Sequence, residues 1–108
     1  TSSDYRIKQN ILTQTDTALD RIAQIRPVTY EFTDYGDLFK ADGIVREGFV
    51  AHEVQAIIPS AVHGEKDAIN QIQSLKLDAL CSVMVKAIQE QQAQIIDLTS
   101  RLEALETP

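Results

Sequence analysis

From Leu77 to Leu105, apolar residues return at alternating steps of four and three. They are Leu77, Cys81, Met84, Ile88, Ile95, Leu98, Leu102 and Leu105, with Gln91 in the one polar slot. This spacing draws a single seam along an α-helix. Leu77, Met84, Gln91, Leu98 and Leu105 take the d positions of a heptad, and Cys81, Ile88, Ile95 and Leu102 the a positions. No Gly or Pro interrupts the run before Pro108. A lone helix of this kind is marginal in water, so an apolar stripe this long needs cover. Over the first two turns Leu80, Val83 and Val85 widen the stripe, and the rest of the same chain can lie against it. The last three turns narrow to a strict seam that calls for other chains. The expectation is therefore a long helix in an oligomeric coiled coil, with Gln91 as a polar layer that sets register at some cost in stability. The seam alone does not fix the number of chains.

With 108 residues, the sequence has room for one domain, or one small globular part with an extension. The division expected is a mixed globular part over residues 1–75 and the long helix over 76–108. Sixteen acidic residues against ten basic ones give a net charge of −6. That balance argues against a nucleic-acid surface, which needs clustered Lys and Arg. No apolar run is long enough to span a membrane, and the polar N-terminus does not read as a secretory signal. Cys81 is the sole cysteine, which leaves no intrachain disulfide and no thiolate metal cluster. With His52 and His63 it would suit a Cys/His protease, but its place on the stripe favours a small packed residue. Neither a metal nor another cofactor is expected.

The globular part mixes short helices and strands. Tyr5 to Leu12 reads as extended and Thr13 to Thr17 as a turn. Thr17 with Asp20 resembles an acidic capping box, opening a helix whose apolar face is Ala18, Leu19, Ile22, Ala23 and Ile25 and which Pro27 stops. Val28, Tyr30 and Phe32 alternate with Thr29, Glu31 and Thr33, as in a strand with one buried face. Asp34 to Glu47 reads as a loop or hairpin, Gly48 to Ala51 as a short buried strand, and Glu53 to Ile58 as a turn or two of helix before Pro59. Val62 falls in a further strand, followed by a turn over His63 to Asp67, and Ala68 to Leu75 is extended. The fold class is α+β.

Candidate chemistry sits at the start, in Ser3-Asp4-Tyr5-Arg6-Ile7-Lys8. A serine and a lysine can act as nucleophile and base without histidine. At five residues apart in an extended segment they do not meet, so the fold must bend or dock the segment. An ordinary lysine is neutral in only roughly one molecule in 2,500 at pH 7. The base must therefore be desolvated or set beside positive charge, which Arg6 can supply if Asp4 is turned elsewhere. Taken alone, these residues read as a solvated turn or cap and a surface lysine rather than as a catalytic pair.

The landmarks along the chain resemble a known family. They are Ser3 to Ile11, Ala18-Leu19-Asp20-Arg21-Ile22, Arg26 to Phe32, Gly48 to Gln55, Pro59-Ser60-Ala61-Val62 and Val85 to Glu90, in this order. The family is the C-terminal intramolecular chaperone domain of phage tailspikes, tail fibres and endosialidases, found also in the myelin regulatory factor. The resemblance implies a homotrimer that brings an upstream fibre or tailspike segment of the same precursor into register, in the host cytoplasm during virion assembly, and then cuts itself off. It implies Ser3 as nucleophile, Lys8 as its base and Ser2-Ser3 as the bond cut. Asp4 and Asn10 are supporting candidates, Asn10 or a backbone N–H for the oxyanion. His52 and Glu53 match a family motif but are read as packing residues. Two other readings compete: a trimerisation and attachment module without proteolysis, and a coiled-coil dimer of a regulatory protein.

Overall fold

The computed structural model describes residues 2–15 and 17–107. Thr1, Asp16 and Pro108 lie outside the described residues, and with Asp16 goes the middle of the turn expected over Thr13 to Thr17. Short antiparallel strands and a long C-terminal helix make the chain α+β. It divides into two compact units, Thr1–Ala23 with Leu77–Pro108, and Gln24–Lys76.

In the first unit, a 3-10 turn over Tyr5–Ile7 precedes helix α1, Ala18–Ala23, and the unit closes with helix α3, Leu77–Glu106. At 30 residues, α3 runs about 45 Å at 1.5 Å per residue. Helix α1 packs against it. Glu90 of α3 reaches the start of α1 and accepts hydrogen bonds from the backbone N–H of Ala18 at 3.0 Å and of Leu19 at 2.7 Å. Those donors have no partner inside α1, so a carboxylate there serves both as cap and as counter-charge to the helix dipole. One and two turns before Glu90, Ala87 and Val83 are buried, as is Leu80. Upstream of α1 the chain is pinned to α3 by the Gln14 amide, which donates to Ser82 Oγ at 3.0 Å.

The buried stripe on α3 is thus Leu80, Val83 and Ala87, not the heptad seam. Cys81, expected as a packed residue, is exposed in the single chain, because α1 covers the face offset from it. Leu77, Met84, Val85, Ile88, Ile95, Leu98, Leu102 and Leu105 are all exposed as well, and from Gln91 onward every described residue of the helix faces solvent.

The second unit holds two small sheets. Strand β1, Val28–Tyr30, pairs antiparallel with β2, Arg46–Gly48, Val28 opposite Gly48 and Tyr30 opposite Arg46. The ladder is shorter than the Val28 to Thr33 strand expected, yet the in-and-out burial continues through Phe32 and Thr33. Gly48 lets the Tyr30 ring lie across the sheet, since a Cβ there would come within 3.0 Å of that ring. The expected strand Gly48 to Ala51 is corrected. The ladder ends at Gly48 because β1 offers no further partner, and Val50 in extended conformation becomes the N-cap of helix α2, Ala51–Gln55.

A 3-10 turn, Pro59–Ala61, follows α2, with proline in its first turn, where a missing N–H costs nothing. Strand β3, Val62–His63, then pairs with β4, Ser74–Leu75. Ile58, Val54, Ala61 and Val62 are the buried residues of this unit. The Tyr35 and Phe39 backbones bridge at 3.0 and 3.3 Å, giving the Asp34 to Glu47 segment a hairpin-like tip.

Two outcomes follow. Replacing Ile58, fully buried, by Ala should cost about 2–5 kcal/mol in urea unfolding. Glu90 is held below the usual glutamate range, first by the Leu19 N–H and then by that of Ala18, against some desolvation. Its contribution is therefore complete above the ordinary glutamate range and lost as pH falls through its depressed folded value. Glu90→Gln should be less stable than the wild type near neutrality and should lack that component of the acid decline. Parallel decline curves for the two proteins would rule the ionised cap out.

Candidate active site

Ser3 and Lys8 meet. Lys8 Nζ donates to Ser3 Oγ at 2.6 Å. The segment expected to be extended over Tyr5 to Leu12 is instead bent over Tyr5–Ile7, and the bend brings a pair five residues apart into contact. The turn is built locally. Asp4, in extended conformation (φ −63°, ψ 139°), is its N-cap, and Asp4 Oδ1 accepts from the Arg6 backbone N–H at 2.8 Å. The Ile7 N–H donates to the Asp4 carbonyl at 3.2 Å and the Lys8 N–H to the Tyr5 carbonyl at 3.1 Å. After the turn Lys8 returns to extended backbone.

The Asp4 carboxylate is engaged by Arg6. It takes the Arg6 guanidinium in a fork, Nε to Oδ1 at 3.1 Å and Nη2 to Oδ2 at 2.9 Å. The side-chain bond from Arg6, then the bond from its backbone N–H, hold the Asp4 carboxyl below the usual aspartate range. Arg6 is raised in turn by the same pairing. The two charges compensate one another, so Arg6 is not an unshielded cation beside Lys8. Asn10 makes a backbone kink in the left-handed region, φ +55°, which Asn tolerates better than most residues. Among the described contacts its side chain does not reach the Ser3–Lys8 pair.

Ser2, Ser3 and Lys8 are exposed in the single chain. Close to them in sequence are apolar residues turned to water: Tyr5 at 76% exposure, Ile7 at 68%, Ile11 at 67% and Leu12 at 84%. As an ammonium Lys8 donates to the serine, whereas a base must be neutral and accept the hydroxyl proton. The same contact serves both states once the proton is lost.

His52 and Glu53 lie on α2, away from this turn in sequence. Glu53 clamps Arg26 in a fork, Nε to Oε1 at 2.8 Å and Nη2 to Oε2 at 2.6 Å, tying α2 to the chain that enters β1. Sequence reasoning read His52 and Glu53 as packing residues without foreseeing the Arg26 partner, and it missed Glu90 altogether, because a cap supplied from 71 or 72 residues away leaves no local pattern. Among the described residues, no three His, Cys, Asp or Glu side chains are gathered as a metal site, and no helix is long and apolar enough to cross a membrane.

The family model described as chaperone of endosialidase, peptidase S74, matches residues 3–63, more than half of the 108. The chain belongs to this family. A comparison with curated proteins finds no match. The matched stretch opens on Ser3, the residue in contact with Lys8, and runs through α1, β1, β2 and α2 to the end of β3. Membership in the chaperone-of-endosialidase family gives the chain a chaperone role toward a fibre or endosialidase segment, within a family named for peptidase activity. Helix α3 lies outside the matched stretch, so its role rests on its own exposed seam.

Removing the fork is the direct check on the electrostatics of the turn. In Arg6→Ala, NMR titration of the Asp4 carboxyl should return it upward toward the ordinary aspartate range. A titration curve unmoved by that substitution would place Asp4 outside the pairing.

Proposed function

We propose that this chain is an intramolecular chaperone that trimerises, sets an upstream fibre or tailspike segment in register, and releases itself by one serine-dependent cut between Ser2 and Ser3. The observation that carries the reading is the 2.6 Å contact between Lys8 Nζ and Ser3 Oγ. In this reading neutral Lys8 takes the Ser3 proton as Oγ attacks the Ser2 carbonyl carbon. The tetrahedral intermediate collapses as the Ser3 amide nitrogen leaves with a proton returned by Lys8, giving an ester between the Ser2 acyl group and Oγ. Water, activated by the same amine, hydrolyses the ester. The Ser3 amine becomes the new N-terminus. Each chain acts once, because its substrate is its own backbone.

The exposure of the pair explains why such a cut waits for assembly. In open water the protonated amine is favoured, and burial of an amine favours its neutral form. Tyr5, Ile7, Ile11 and Leu12 flank the pair in sequence and are exposed in the single chain; neighbouring chains that cover this segment together with Lys8 would strip water from its amine. The uncovered seam of α3, Leu77 to Leu105, is the device that gathers those chains as a homotrimeric coiled coil. Holding three upstream segments together raises their effective concentration before their slow long-range pairing begins. Removal of the chaperone then leaves a fibre whose resistance to unfolding is kinetic. The setting is virion assembly in the host cytoplasm.

With a reporter domain fused ahead of Thr1, the wild type should release the reporter ending in Thr1-Ser2. Ser3→Ala and Lys8→Met should stay full length, with the oligomer unchanged; cutting of Lys8→Met at the normal rate would sink the pair. Leu98→Asp should convert the trimer to monomer in sedimentation and slow the cut by more than about tenfold, as a charge in a seam layer disrupts the coiled coil. Mild oxidation should cross-link Cys81 between wild-type chains and not in that variant. A monomer that cuts as fast as the trimer would separate chemistry from assembly.

A further inference from the structure

We propose that Asp4 is the positioning residue of the Ser3–Lys8 pair: by capping the turn over Tyr5–Ile7, its carboxylate holds the two reacting side chains at contact distance. This rests on reading the pair as the self-cleaving dyad.

Five residues of extended chain span about 16 Å, too far for a serine and a lysine to meet with the geometry seen here. The turn is thus a condition for the contact, and little else supports it. No residue of the turn is buried, so the hydrophobic effect contributes almost nothing there. Its backbone bonds are two, Ile7 N–H to Asp4 O at 3.2 Å and Lys8 N–H to Tyr5 O at 3.1 Å, and 3-10 turns have poorer bond geometry than α-helices. What remains is Asp4. Its Oδ1 meets the orphan N–H of Arg6 at 2.8 Å, and the fork to the Arg6 side chain fixes the carboxylate in that rotamer.

The same contacts exclude a relay role. Both carboxylate oxygens bond Arg6, and among the described contacts none joins Asp4 to Lys8, so Asp4 is not placed as a third proton carrier behind the amine. Nor does its charge act unopposed on the amine, since the guanidinium beside it compensates. The residue works through shape, by placing Lys8 Nζ on Ser3 Oγ.

The single-turnover release rate of the reporter fusion, measured on the assembled oligomer, distinguishes shape from charge. Asp4→Ala removes the cap and should slow release about five- to tenfold. Asp4→Asn and Asp4→Ser keep an acceptor for the Arg6 N–H and should stay within about threefold of the wild type, as should Arg6→Ala, which spares the cap. A merely structural contribution to the whole domain would also lower the thermal midpoint of Asp4→Ala; that midpoint should be unchanged. Asp4→Ala releasing at the wild-type rate, Asp4→Asn falling as far as Asp4→Ala, or a lowered midpoint would each overturn the proposal. Failure of the underlying reading looks different: a wild type that releases nothing, or a release that Ser3→Ala does not abolish.

Discussion

Helix α3 has more apolar surface than its own unit can cover, and this imbalance governs the rest of the molecule. One stripe, Leu80, Val83 and Ala87, is buried, and α1 is fixed against the helix by the double hydrogen bond from its first N–H groups to Glu90. The other stripe, running through Ile88, Ile95, Leu98 and Leu102, is left to water at roughly half exposure or more. Burial of each such side chain is worth about 1.5–3 kcal/mol, so the uncovered seam is a large driving force toward association.

The turn at the other end of the sequence has the opposite character. Nothing hydrophobic holds it, and its geometry comes from short-range polar contacts among Asp4, Arg6 and three backbone N–H groups. Such a device can bring a hydroxyl to an amine before any larger assembly exists, but it cannot dry the amine. The turn aligns the pair, while the apolar residues near it in sequence, Tyr5, Ile7, Ile11 and Leu12, stay exposed in the single chain. In the reading proposed here, alignment is intrinsic to the chain and activation is supplied from outside it.

Family membership and geometry reach this site by separate routes. The family match starts at Ser3, and the contact between Ser3 and Lys8 comes from the fold. In the second unit the Arg26–Glu53 fork ties α2 to the chain entering β1, and Gly48 admits the Tyr30 ring between β1 and β2. Their partners are close enough in kind, though not in sequence, to make the motif around Gly48 to Glu53 intelligible as packing.

The sequence by itself determined the long helix and its seam, the alternation from Val28 to Thr33, and the serine–lysine pair as candidates, because periodicity and residue type are local properties. It misplaced what depends on partners. The strand expected over Gly48 to Ala51 stops at Gly48, since a ladder extends only as far as its opposite strand. The extended reading of Tyr5 to Leu12 missed the Asp4 cap, whose effect is to bend the chain. Cys81, read as a packed residue on the seam, is exposed in the single chain because α1 takes the neighbouring face of the helix. Only the tertiary structure decided that Glu90 caps a helix some seventy residues away and that the heptad face remains outermost. The reason is the same throughout: a single chain's pattern specifies which surfaces are apolar and which groups need hydrogen bonds, while packing alone specifies what meets them.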